Sequence, residues 1–215
     1  KRILERMKQD LRMNEKPEHI ECFDNSNLQG DYPVAAMACF KNAKPAKTEY
    51  RHFNIKTVEG PDEYASLEEI VFRRYKRLLD EKKPIPQLII VDGGKGQLNA
   101  ALKSLEKLDL RGRITIIGIA KRLEEIYYPG DSLPLFLDKT SETLRVIRRS
   151  HAASLAYARL GEDASPYLRN AQTMRVSRRP RVGRTLRVVG RARAGSRADA
   201  RGGVGASPGL RGAGG

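Results

Sequence analysis

The stretch QLIIVDGGKGQ, residues 87–97, sets the architecture. Leu88 to Val91 form an unbroken apolar run with no polar alternation. Such a run marks a strand covered on both faces, as in a sheet sandwiched between helices. Gly93 and Gly94 turn the chain. Gln97 to Leu108 then reads as an amphipathic helix with Leu98, Ala101, Leu102, Leu105 and Leu108 on its apolar side. A second apolar run, ITIIGIA at 114–120, follows that helix. Strand, helix and strand of this kind make a right-handed crossover between parallel strands.

Upstream, Ser66 and Glu69 read as a capping box opening another helix, with Leu67, Ile70, Val71, Tyr75 and Leu78 as its apolar face and Pro84 and Pro86 as its stop. Before it come three strand patterns. In HIECFDNSN (19–27), Ile20, Cys22 and Asp24 fall on one face and Glu21 and Phe23 on the other, until Asn25, Ser26, Asn27 and Gly30 break the run. PVAAMACF (33–40) and EYRHFNIKTV (49–58) flank the turn KNAKPAK. Short connections favour antiparallel pairing of these three. Lys1 to Asn14 reads as a helix ended by Pro17. The order β-β-β-α-β-α-β predicts an α/β fold of ribonuclease H-like layout: a mixed five-stranded sheet with flanking helices.

The 215 residues carry 41 Lys+Arg against 26 Asp+Glu, a net charge of +15. The excess is uneven. Residues 148–215 hold 15 Arg, no Lys and 3 acids, a net +12, and 11 of the 19 Gly. The chain therefore divides into a nearly charge-balanced domain and an Arg/Gly/Ala-rich tail over 148–215, whose composition predicts disorder. No run approaches the roughly 18–20 apolar residues of a membrane span, so no membrane partner is expected. No apolar signal core opens the chain. Two cysteines, Cys22 and Cys39, are too few for a disulfide framework or a cysteine-based zinc site, which points to a reducing, cytoplasmic setting.

Asp24 ends the first strand and Asp92 the first doubly buried one. In this layout those strands are parallel neighbours about 4.8 Å apart, so their carboxylates would face one crevice. Two close carboxylates repel and are stable chiefly with a divalent cation between them. Mg²⁺ held in this way suits phosphodiester cleavage. The competing reading is that each Asp simply starts a turn. The loop DGGKGQ lacks the spacing of a phosphate-binding P-loop, because Gly96 and Gln97 follow Lys95. A glycine turn, a helix N-terminus and the Lys95 charge still suit contact with a DNA phosphate. Lys121 and Arg122, after the last strand, either hold DNA phosphates or form a solvated face. Arg73, Arg74, Lys76 and Arg77 read as a basic, solvated helix face, and Asn25 to Asn27 as a turn or as support for the Asp24 carboxylate.

The segments IECFDNSN, YRHFNIKTVEGPDEYAS, RRYKRLL, LIIVDGGKGQLNAAL, IIGIAKRLEEIYYPGD and SETLRVI resemble the C-terminal nuclease half of the UvrC family, in register from residue 1 to Ile147. The resemblance implies a metal-dependent endonuclease that uses Mg²⁺ or Mn²⁺. Such an enzyme cuts damaged duplex DNA on the 5′ side of the lesion, acting with the UvrB–DNA complex that UvrA sets up. It implies catalytic, metal-holding roles for Asp24 and Asp92. An acidic position in PDEYA, Asp62 or Glu63, is also associated with activity, although a carboxylate before a helix also favours the helix dipole. Residues 1–17 correspond to the end of a connecting helix and 18–147 to the nuclease domain.

The resemblance breaks after Ile147. The family pattern RDEAH is absent, and its histidine would fall at Leu155. His151 lies four residues earlier on the same helix face, about 5.4 Å away, so a catalytic role for it needs a shifted helix. The paired helix-hairpin-helix domain expected next is replaced by the Arg-rich tail, which suggests a frameshift or chimeric reading frame, or else a real arm binding nucleic acid nonspecifically. The family's N-terminal nuclease domain and UvrB-contacting segment are also missing, as in a fragment. Two functions are therefore expected: a 5′-incision endonuclease, or a catalytically dead remnant that binds nucleic acid through the tail.

Overall fold

The computed structural model describes residues 1–24, 34–60, 62–120 and 125–163, with side chains through residue 160. The elements run α1 (Arg2–Asp10), β1 (His19–Asp24), β2 (Val34–Lys41), β3 (Lys44–Pro45), a 3-10 turn (Lys47–Glu49), β4 (Arg51–Asn54), α2 (Glu63–Asp80), β5 (Leu88–Asp92), α3 (Lys95–Lys107), β6 (Thr115–Ala120), β7 (Glu125–Tyr127) and α4 (Glu142–Asp163). Among the described residues, seven strands form one mixed sheet in the order β3-β2-β1-β5-β6-β7, with β4 also pairing β2. The pairs β1–β5 and β5–β6 are parallel; β1–β2, β2–β4 and β6–β7 are antiparallel.

The α/β architecture and all five anticipated strands are present, but the sheet has seven strands, not five. The additions, β3 and β7, are two and three residues long. Such lengths are too short for alternation to show in sequence. β2 reverses into β3 through Asn42 and Ala43, both in the left-handed region (φ 51° and 60°). Positive φ at both central residues is the backbone of a two-residue hairpin turn.

α2 and α3 pack together on one face of the sheet, and α4 on the other, with α1 against α4. β1 shows the two faces by alternation. Phe23 meets Tyr75 of α2 at a ring-centroid distance of 6.1 Å, whereas Cys22 meets Ser154 of α4 at 3.5 Å. α4 also covers β4, where the His52 ring stacks on Tyr157 with centroids 3.9 Å apart. At its start, α4 receives α1, with Thr143 donating to Asp10 Oδ2 at 2.6 Å; Tyr128, just after β7, donates to the Leu11 carbonyl at 2.7 Å.

Two further expectations are corrected. α2 begins three residues before the anticipated capping box. Asp62 is the N-cap and accepts from the Ala65 amide at 2.9 Å, while Ser66 is buried inside the helix. Glu69 serves another segment, accepting from the Lys56 and Thr57 amides at 2.9 and 2.8 Å. Either Asp62 or Ser66 could cap a helix; the end of the β4 segment needs the Glu69 carboxylate, so the upstream cap is used. The fold also continues past residue 147, where the sequence placed the start of the tail. α4 runs to Asp163. Ser150, Ser154 and Ala158 are buried, one helical turn apart, and let the helix lie close to the sheet. Residues 164–215 lie outside the described residues.

Candidate active site

β1 and β5 run parallel in the register Cys22↔Ile90 and Phe23↔Val91, which brings Asp24 and Asp92 side by side as the last residues of adjacent strands. Both share the face of Cys22 and Ile90, since side chains two residues apart point the same way. That face is covered by α4. Asp24 is fully buried, and the Asp92 side chain is 29% exposed. The crevice is therefore closed below and open above, at the carboxyl ends of the parallel strands, where ligands of open α/β sheets bind.

His151 enters this crevice from α4. Its Nε2 lies 3.1 Å from Asp92 Oδ2, and its side chain is 14% exposed. The Asp92 carboxylate beside it raises the imidazole pKa; burial opposes this, and the charge of Asp24 adds to the rise. Beneath the pair, burial pushes the Cys22 thiol far up, and both aspartates reinforce it. Cys22 is thus a protonated, inert packing group. Two carboxylates at adjacent strand ends, one of them fully buried, and an imidazole beside the other are oxygen and nitrogen donors of the kind that divalent cations take.

Backbone geometry holds Asp92 in place. Gly93 adopts φ +132° and donates its amide to the Ile119 carbonyl at 2.8 Å. Gly118 in β6 lies under this turn: a Cβ there would stand 2.9 Å from the Gly93 carbonyl oxygen and 3.4 Å from that of Gly94. Gly118 has a signal in the sequence, since a glycine inside a strand marks close backbone approach. Tyr64 has none: its ring fills the place of a Gly96 side chain, and a Cβ there would meet Tyr64 Cε1 at 2.6 Å.

The other sequence candidates have different surroundings. Asp62 caps α2. Lys95, the first residue of α3, donates to the Ser132 carbonyl at 2.5 Å and stands 5.5 Å from the Tyr127 ring centroid, so it fastens the segment after β7. Arg74 is not on a solvated face: its side chain is 11% exposed and its Nη2 donates to Glu21 Oε1 at 2.5 Å. Lys121, Arg122 and Asn25 to Asn27 lie outside the described residues.

Relatives named UvrABC system protein C match this region. Those of Flavobacterium psychrophilum and Flavobacterium johnsoniae are each 68% identical over 148 residues, 69% of this chain. That of Prosthecochloris aestuarii is 43% identical over 160 residues, 73% of the chain. The chain spans about a quarter of the length of these curated relatives. A crystal structure of Ciona intestinalis Endonuclease V, in complex with a 24mer DNA containing an inosine followed by a ribo-adenosine, is 12% identical. It covers 74% of this chain and 95% of that one, with a TM-score of 0.40, too distant to bear on the site. The match to the UvrC RNAse H endonuclease domain spans residues 8–154, and with it the chain belongs to that family.

Proposed function

We propose that the domain is a DNA endonuclease of nucleotide excision repair, making the incision 5′ to a lesion by metal-dependent hydrolysis of a phosphodiester. The observation that carries this reading is the placing of Asp24 and Asp92 at the ends of adjacent parallel strands, with His151 Nε2 at 3.1 Å from Asp92. Asp24 and Asp92 would hold Mg²⁺ or Mn²⁺, which when bound activates water and stabilises the leaving oxygen. His151 would act as the general acid, giving a proton to the departing oxygen. α4 excludes water from the buried side, which strengthens these electrostatic interactions. Damaged duplex DNA and the UvrB–DNA complex, assembled by UvrA, are the proposed partners. Two free, buried cysteines suit a cytoplasmic setting, and no helix of the described residues is long and apolar enough to cross a membrane.

The test is nicking of a lesion-containing duplex by the chain with UvrA, UvrB and Mg²⁺ or Mn²⁺. Asp24→Asn and Asp92→Asn should each abolish nicking and leave DNA binding intact. A folded wild-type chain that binds DNA but never nicks it under these conditions would favour the dead-remnant reading.

A further inference from the structure

A second set of donor side chains lies at the other end of the same strands. His19 opens β1 five residues before Asp24, about 16 Å away along the strand. His19 is the cross-strand partner of Lys41, and Glu21 that of Cys39. All four therefore share the α2 face, and the 3-10 turn brings Glu49 to them. One donor atom from each of His19, Cys39 and Glu49 lies within 4.8 Å of the other two. Glu49 divides its oxygens: Oε1 takes Lys41 Nζ at 2.6 Å, and Oε2 faces Cys39 Sγ at 3.9 Å. Around a tetrahedral ion with bonds of about 2.0–2.3 Å, neighbouring donors stand about 3.3–3.6 Å apart. Small rotamer adjustments thus close the cluster on an ion.

The surroundings support such a site. His19 Nε2 is buried and, among the described residues, makes no hydrogen bond; Glu21 Oε1 stands 3.2 Å away but is not aligned for one. Glu21 is itself fixed by Arg74 and by the Tyr75 hydroxyl at 2.8 Å, which leaves the buried Nε2 of His19 available to an ion. The Glu49 side chain, 33% exposed, gives an entry path.

We propose that His19, Cys39 and Glu49 bind one thiophilic divalent cation of the Zn²⁺ class, with water in the fourth position, independently of the Asp24–Asp92 pair. Thiolate, imidazole and carboxylate together favour Zn²⁺ over Mg²⁺. In the metal-free protein Cys39 holds its proton, burial and the charges of Glu21 and Glu49 pushing its pKa up to about 12. On binding, the S–H bond breaks, a sulfur–metal bond forms and the proton passes to solvent; no electron moves. The ion ties the β1–β2 pair to the 3-10 turn.

The test uses the full chain and Co²⁺ as a probe. Metal-free protein should develop a thiolate-to-cobalt charge-transfer band in the near ultraviolet that saturates at one ion per chain and is displaced by Zn²⁺. Cys39→Ser should abolish the band. Glu49→Gln should weaken Zn²⁺ binding at least about tenfold in competition with a chromophoric chelator. The double variant Asp24→Asn, Asp92→Asn should keep the band, which separates this site from the proposed catalytic one and from Cys22. A wild-type chain without the band overturns the proposal, as does a band that survives Cys39→Ser or vanishes with the aspartates. If Cys39→Ser does not fold by circular dichroism, the wild-type band and Glu49→Gln decide.

Discussion

Arg74→Met should be among the most damaging single changes outside the crevice. Glu21 is fully buried in the strand that carries Asp24, and its charge is answered by Arg74 Nη2 at 2.5 Å, Arg74 Nε at 3.3 Å and the Tyr75 hydroxyl at 2.8 Å. Removing one partner of a buried ion pair costs about 3–5 kcal/mol, because the other charge stays in low dielectric. For a domain of this size, 1 kcal/mol moves the thermal midpoint by about 2–4 °C, so a loss of roughly 6–20 °C is expected at pH 7. Arg77→Met, which removes an exposed pair with Glu81, should leave the midpoint unchanged. The acid dependence follows from Glu21. Burial alone would raise its pKa, but His19 and Arg74 outweigh that and hold it below its ordinary 4.5. The folded state then binds this proton less readily than the unfolded one. Its stabilisation is full above pH 4.5 and is lost as pH falls through the lower folded value. In Arg74→Met burial counts for more, so the folded pKa rises and the deficit against wild type shrinks toward acid. Glu21→Leu with Arg74→Met should recover much of the loss, since neither charge remains buried. Denaturant unfolding in the presence of a chelator, followed by circular dichroism at pH 7 and pH 4, measures all of this. A single variant within about 1 kcal/mol of wild type at pH 7 would refute the reasoning, as that is the range of an exposed pair.

Gly118→Ala should cost about 1–3 kcal/mol, because its Cβ would stand 2.9 Å from a backbone oxygen that cannot rotate away; nicking should fall further than unfolding explains, since the Asp92 turn is displaced. Lys95→Ala should raise amide hydrogen exchange around Asp131, whose N–H donates to the Tyr128 carbonyl in the segment that Lys95 fastens; unchanged exchange would return Lys95 to a purely phosphate-binding role. His151→Ala should lower metal-dependent nicking by about 10²–10⁴-fold with DNA binding kept. Equal rates for His151→Ala and wild type would remove the imidazole from the mechanism.

The sheet was legible wherever burial imposes a pattern. Leu88 to Val91 and Ile114 to Ala120 declare doubly covered strands because both faces admit apolar side chains only. Where polar groups are buried with partners, the pattern misleads. Arg74 resembles its neighbours in sequence, yet Lys76 and Arg77 are solvated while Arg73 ties α2 to the Asn54 carbonyl and Glu69, and only the place of Glu21 beneath α2 distinguishes Arg74. The helical extent of α4 was hidden by its Arg content: its buried stripe is Ser150, Ser154 and Ala158, whose small size brings the helix close to β1 and β2 but carries little hydrophobic signal.

The crevice shows the same division more sharply. That Asp24 and Asp92 end neighbouring strands follows from strand order and length, both of which the sequence carries. The imidazole does not follow from spacing alone. Counting residues places His151 one turn, about 5.4 Å, from the position expected to be histidine. That count fixes only the position along the helix axis, and neither the tilt of the helix nor the reach of the side chain. Helical side chains lean toward the N-terminus, so residues 151 and 155 sweep overlapping space on one face. The close seat of α4, with Ser154 Oγ 3.5 Å from Cys22 Sγ, brings the 151 turn directly over β5. His151 then meets Asp92 at hydrogen-bond distance, while Leu155 stays half-buried on the same helix. The small residues that bring the helix down onto the sheet thus also determine which turn of it places an imidazole beside Asp92.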